Sequence, residues 1–140
     1  MTIKNKNKAS VVTSILRNDD QILILQRSLS TKSMQNMWAG ISGYVEPCED
    51  LLSCALREIY EETKINKHEM ILYKILDQIS VEIRTDKTLL IQPFYFLTST
   101  RKVILNWEHV EYRWISSCDI NRYEFVPKLY EILKTCFNGS

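Results

Sequence analysis

Short apolar runs rich in Val, Ile and Leu occupy residues 11–17 and 21–27, with the turn-forming cluster Asn18-Asp19-Asp20 between them. This pattern predicts two strands joined as a hairpin. Residues 28–36 are polar and irregular, and residues 38–45 make a third extended stretch interrupted by Gly40 and Gly43, where backbone can turn or approach a ligand closely. The period then changes. From residue 49 to 63, Leu52, Ala55, Leu56 and Ile59 fall on one stripe at helical spacing behind Pro47, which predicts a helix. Residues 70–83 and 89–97 read as long paired strands across the polar run 84–87, and further strand is expected at 102–105 and 112–115. Finally, Phe125, Leu129, Ile132, Leu133 and Cys136 recur at intervals of three and four, predicting a closing amphipathic helix over 125–137. Strands, helix, strands, helix is the order of an α/β layered domain.

Composition sharpens this without redirecting it. The 140 residues, 45% of them hydrophobic, suit one domain over residues 1–140 that buries its core without disulfide or metal support. No repeat, low-complexity tract or Pro/Gly/Ser linker divides it. A net charge of +1 gives no field that points to nucleic acid or a membrane surface. Cys48, Cys54, Cys118 and Cys136 never approach a C-x-x-C spacing, so they read as packing residues or idle thiols. The basic lead with Lys4, Lys6 and Lys8 has no apolar core of the kind a signal peptide needs, and no run of eighteen apolar residues occurs. The expectation is a cytoplasmic protein, monomer or homodimer.

The chemistry concentrates on the first helix. At about 100° per residue, Glu58, Glu61 and Glu62 span an arc of roughly 100°, its centre roughly 120° around from the apolar stripe. Like charges at this spacing repel by a few tenths of a kcal/mol per pair, so helix stability alone gives no reason to gather them. A divalent cation removes the repulsion. Hard cations such as Mg²⁺ take carboxylate oxygens and leave positions open for phosphate.

Read from Gly43, the chain runs Gly43, five residues, Glu49, seven residues, then Arg57-Glu58-Ile59-Tyr60-Glu61-Glu62-Thr63-Lys64-Ile65. This resembles the Nudix box, G-x5-E-x7-R-E-U-x-E-E-x-G-U with U aliphatic, at every defined position except one, where Lys64 replaces the last glycine. The resemblance implies an α/β/α sandwich around a mixed sheet. It also implies Mg²⁺ or Mn²⁺ held by Glu58, Glu61, Glu62 and the Gly43 carbonyl, with Glu49 and Arg57 bracing loop and helix. An Arg-Glu pair four apart on a helix is equally an ordinary surface pair. Lys64 stands where a left-handed glycine is expected, which costs on the order of 1 kcal/mol and leaves the ligands untouched. Ser42 occupies a position where relatives commonly carry a second glycine.

Outside the box, Glu108 is the candidate general base. It opens Glu108-His109-Val110-Glu111-Tyr112-Arg113-Trp114, which looks like the E-H-x-x-Y-R-W segment of Nudix enzymes acting on nucleoside triphosphates, dihydroneopterin triphosphate or dinucleotide polyphosphates. His109 is a donor to phosphate or simply a structural histidine. Arg27, at a strand end, is a phosphate clamp or a surface arginine. Trp38, Trp107 and Tyr44 are stacking rings for a base or pterin, or core residues.

The resemblance therefore implies a metal-dependent pyrophosphohydrolase of the phosphoanhydride-hydrolase class. Its partner would be a small-molecule phosphoanhydride, a nucleoside triphosphate or related compound attacked by water at phosphorus, with Glu58, Glu61, Glu62 and Glu108 as the catalytic set. The alternative is a non-catalytic nucleotide sensor on the same fold, against which the full set of box carboxylates speaks. Prenyl diphosphate isomerisation lacks its paired Cys and Glu. No S-Q-P-W-P-F-P-like run, no proline within 66–92 and no coenzyme A motif occurs, which disfavours the NADH, ADP-ribose and coenzyme A types.

Overall fold

The computed structural model describes residues 7–139; of the basic lead, Lys4 and Lys6 lie outside them. The hairpin forms as its turn residues dictate: β1 (Asn7–Asn18) and β2 (Gln21–Arg27) pair antiparallel through Asn18↔Gln21, and Asp19 takes the left-handed φ of 55° that Asp tolerates. Gly40 then divides the third stretch into two strands with different partners. β3 (Trp38–Ala39) pairs with β2, whereas β4 (Ile41–Tyr44) crosses to β1. A side chain at Gly40 would press on Ile15 and Thr13 at 3.2 Å, so the crossover passes close over β1.

Asp50 starts the first helix, α1 (Leu51–Thr63), by accepting from the Ser53 amide at 2.7 Å. The helix therefore begins after Glu49, not at it. Its buried side is Cys54, Ala55, Glu58, Ile59, Glu62 and Thr63, while Leu52 of the expected stripe is exposed.

The long run 70–83 is two strands, β5 (Met70–Ile75) and β6 (Ile79–Arg84), laid end to end along one edge of β7 (Lys87–Thr98). The break has a partner of its own: Gln92 Nε2 donates to the Leu76 carbonyl at 2.7 Å. On its other edge β7 pairs with β1 in parallel over eleven positions, Asn7↔Lys87 to Arg17↔Leu97. Residues 102–105 are not a strand. Val103 is buried in the α1 core and the Ile104 amide donates to the Thr63 carbonyl at 2.9 Å, so this segment closes the end of α1 and stays out of the sheet. β8 (His109–Ile115) starts earlier than 112 and pairs with β2. The last helix, α2 (Leu129–Asn138), starts later than 125 because Phe125 is held in a bridge to Trp38 and Lys128 turns left-handed at φ 74°.

The described residues thus form one mixed sheet of eight strands with a helix on each face. Alternation decides which side chain goes where. Leu23, Leu25, Phe94 and Phe96 pack with Cys54, Ala55 and Ile59 of α1. Ile22, Ile24 and Tyr95 pack with Leu129, Ile132 and Leu133 of α2. Two apolar layers on one sheet are the α/β/α sandwich that the sequence resemblance implied. No helix among the described residues is long and apolar enough to cross a membrane.

Candidate active site

The loop from β4 to α1 is held by one guanidinium. Arg57, on the second turn of α1, forks onto Glu49 at 2.7 and 2.9 Å and reaches back to the Tyr44 carbonyl at 3.3 Å. Glu49 in turn accepts from the Glu46 amide at 3.0 Å, so loop and helix share a single bracket. Hydrogen bonding to Arg57 holds the Glu49 carboxyl down at about 2, and the same bond raises Arg57 further above its ordinary value. The contact to Glu61, one turn on, is longer, at 3.4 Å. At the far end Lys64 closes α1 in the left-handed conformation, φ 64°, with its amide on the Tyr60 carbonyl and its ammonium 5.0 Å over the Tyr60 ring.

The three glutamates share one arc of α1 but not one environment. Glu58 and Glu62, four apart, point inward beside Ala55 and Ile59, while the Glu61 side chain is half exposed. Glu58 lies against Gly43, where an added Cβ would overlap the carboxylate. Its Oε1 accepts from Arg57 at 2.7 Å. Burial raises the Glu58 carboxyl, opposed by its bonds to Glu62 and Arg57. Glu62 is raised well above the usual carboxylate range, first by burial and then by its bond to Glu58 and the charge of Glu108.

These groups open onto a cavity of about 650 Å³. Gly43, Tyr44, Arg57, Glu58, Glu61 and Glu62 line it from the box, Arg27 and His109 from the far strands, and Glu108 from the loop before β8. Glu108 is tethered by Asn106, whose side-chain oxygen accepts from its amide at 3.1 Å, and by its own carbonyl, which accepts from the Ser28 amide at 2.8 Å. His109 Nδ1 lies 3.7 Å from Glu62 Oε1. Burial, aided by Arg27, lowers the imidazole to about 4. A neutral ring beside a carboxyl that favours its proton is not an ion pair at that distance.

Two of the three rings weighed for stacking lie elsewhere. Trp38 is buried in the α2 core with its ring edge-on to Tyr123 at 5.1 Å, because β3 inserts it between sheet and helix. Trp107 is exposed outside the cavity lining, and its carbonyl accepts from Ser28. Tyr44 does line the cavity, with Lys87 over its ring at 5.7 Å. Arg27 is oriented by the Ser33 carbonyl at 3.1 and 3.2 Å. Sequence reasoning missed Lys32, Ser33 and Met34, which the irregular loop 28–36 brings to the rim. It also missed Val81, Ile83, Leu89 and Ile91. Their alternation was visible in the sequence, but which face it served was not.

The donor set suits a hard divalent cation. Glu62 Oε2 is buried with no hydrogen-bond partner, next to a second buried carboxylate and within the field of a third. Such atoms are costly unless a cation or water meets them. All the donors are oxygens, the class Mg²⁺ and Mn²⁺ take. Among the described residues, no group of three His, Cys, Asp or Glu side chains is drawn together as a ready cage; Glu58 is instead turned onto Arg57.

Known proteins resemble this chain in sequence and in fold. The dihydroneopterin triphosphate diphosphatase of Haemophilus influenzae is 26% identical over 140 residues, 98% of this chain and 77% of that protein. The m7GpppN-mRNA hydrolase NUDT17 of Bos taurus is 43% identical over 53 residues, 37% of this chain; the chain spans only 18% of that protein's length. The MutT protein of Methanosarcina mazei Go1 superposes with a TM-score of 0.80 at 29% identity, covering 96% of this chain and 95% of its own. The NUDIX domain family model matches residues 6–136, and with the sandwich fold around it this shows that the chain belongs to the NUDIX family of hydrolases.

Proposed function

We propose that this enzyme cleaves the phosphoanhydride of a nucleoside triphosphate or related small molecule by water attack at phosphorus, acting as one domain. The observation that carries the reading is the buried Glu62 carboxyl, unpartnered at Oε2 and crowded by Glu58 and Glu108 in an open polar cleft. That oxygen is left for a cation or water to meet. Glu58, Glu61, Glu62 and the Gly43 carbonyl are the residues that would hold Mg²⁺ or Mn²⁺. When bound, the ions polarise phosphorus-bound oxygen and lower the pKa of water. The chain's own contributions are distinct. Arg57 and Glu49 keep the loop and helix in register. Glu108, facing the cleft beside Glu62, takes the water's proton. Arg27 and Lys32 attract the phosphates at the opposite rim.

The relatives support the substrate class: one is named for dihydroneopterin triphosphate and one for a capped mRNA, both phosphoanhydrides. The four free cysteines fit a reducing, cytoplasmic setting. The test is a screen of nucleotides, dinucleotide polyphosphates and nucleotide sugars with Mg²⁺ or Mn²⁺, scored by released phosphate products. Wild type turns over at least one, and Glu62→Gln abolishes it. Tight nucleotide binding without turnover would replace this reading with the sensor.

A further inference from the structure

β8 carries one residue more than β2 can pair. The two strands run in step from Ile22↔Ile115 to Gln26↔Glu111, and the next pair is Arg27↔His109, so Val110 is left over as a bulge and is 61% exposed. The extra residue decides which way His109 points. Ile115 lies in the α2 core and Trp114 packs against the α1 core, so strict alternation would put His109 on the α2 side with Glu111, Arg113 and Ile115. A bulge beside an active site can re-aim a side chain, and here His109 meets α1 instead: its Nδ1 lies 3.7 Å from Glu62 Oε1.

His109 belongs to the cavity wall, yet its side chain keeps only 2% of its surface exposed. A ring so covered is poorly placed to donate to a phosphate. Its Nδ1 is buried with no hydrogen-bond partner, and so is Glu62 Oε2. Each is costly unless something meets it. One arrangement meets both. A Glu62 carboxylate that gives Oε2 to a cation can only accept hydrogen bonds, so the hydrogen between it and the ring is carried by Nδ1. The present separation is about 0.5 Å beyond an N–H···O bond.

We propose that His109 is the positioning residue for Glu62: its Nδ1–H closes onto Oε1 and leaves Oε2 as the oxygen that faces a cation. This rests on the assignment of Glu62 as a metal ligand above, and goes beyond it by naming the group that orients the ligand. The bulge is the device that supplies it, because without Val110 the imidazole would lie on the far side of the sheet from α1. A group hydrogen-bonded to a ligand fixes which lone pairs the metal meets, and its loss typically costs about 10–100-fold in metal affinity.

The experiment measures Mg²⁺ binding by calorimetry, without substrate, for wild type, His109→Asn, His109→Gln and His109→Leu, with thermal melts of the metal-free proteins to check folding. The asparagine amide nitrogen stands where Nδ1 does, that of glutamine reaches the place of Nε2, and leucine has no donor. The expected result is a Kd for His109→Asn within about threefold of wild type, and for His109→Gln and His109→Leu a Kd weaker by about tenfold or more. In turnover the Mg²⁺ requirement rises by the same factor, while KM for nucleotide at saturating Mg²⁺ stays the same. A merely structural histidine would lower Tm and leave the Mg²⁺ Kd alone; that outcome, or an equal loss in all three variants, overturns the proposal. If His109→Leu does not fold, the comparison of His109→Asn with His109→Gln decides in the same way. A raised KM with unchanged Mg²⁺ affinity makes His109 a phosphate donor and also overturns it. A wild type that binds neither Mg²⁺ nor Mn²⁺ defeats the ligand assignment itself, and the positioning role with it.

Discussion

Gly43 and Glu58 occupy one space: a Cβ on Gly43 would lie inside the Glu58 carboxylate, so the strand end and the helix approach only because residue 43 has no side chain. Substitution there is a direct test of how closely chemistry depends on that approach. Gly43→Ala is expected to push Glu58 aside and lower kcat by about a hundredfold or more. The overpacking would destabilise the fold by about 1–3 kcal/mol. Steady-state kinetics with a thermal melt separates the two effects, and an active Gly43→Ala would show that Glu58 has freedom the geometry denies it.

Arg57 brackets the loop through Glu49, and the bracket depends on pH. Glu49 is held at about 2 against an ordinary 4.5. A depressed carboxyl contributes stability that is fully present above the unfolded value and lost as pH falls through the folded one. The melting temperature of wild type should therefore exceed that of Glu49→Gln by a constant margin above about pH 5. The margin should shrink steadily toward pH 2. A margin independent of pH would mean the Arg57 fork does not depend on the Glu49 charge.

Lys64 adopts the left-handed conformation at φ 64°, which strains a residue bearing Cβ. Lys64→Gly relieves on the order of 1 kcal/mol, less the contact of its ammonium with the Tyr60 ring. The net gain corresponds to a rise of about 3 °C in Tm for a chain of this size, with kcat unchanged. A lower Tm would make the ring contact the larger effect.

Removal of divalent ions offers a test without substrate. If Glu58, Glu61 and Glu62 hold the cation, adding Mg²⁺ to chelator-treated protein relieves their repulsion and raises Tm, by about 2.7 kcal/mol of linkage at one hundred times Kd. Glu62→Gln should abolish most of that rise. A full response in Glu62→Gln would place the ion elsewhere.

Glu108 faces the cleft from a loop pinned by Asn106 and Ser28. Glu108→Gln is expected to lower kcat by about 10²–10⁴-fold while leaving Mg²⁺-induced stabilisation intact. An unaltered kcat would remove Glu108 as the base.

The sequence by itself determined the hairpin at Asn18-Asp19-Asp20, the first helix and the box from Gly43 to Ile65, because these depend on local turn chemistry, on short-range periodicity and on residues fixed distances apart. Strand limits were less legible. The split of 70–83 into β5 and β6 depends on β7, whose Gln92 holds the break at Leu76 from 16 residues away, and Val103 prefers the α1 core to a place in the sheet. Only the tertiary structure decided that Glu58 and Glu62 are buried while Glu61 is not. A helical wheel orders side chains around an axis but does not say which neighbour covers which arc. The same holds for the cleft: Arg27, Lys32, Glu108 and the floor of Val81, Ile83, Leu89 and Ile91 meet the box across contacts that the sheet creates. Trp38 takes the core place and not the stacking one for the same reason, because β3 carries it under α2, where burying a large ring against apolar neighbours outweighs presenting it to a ligand.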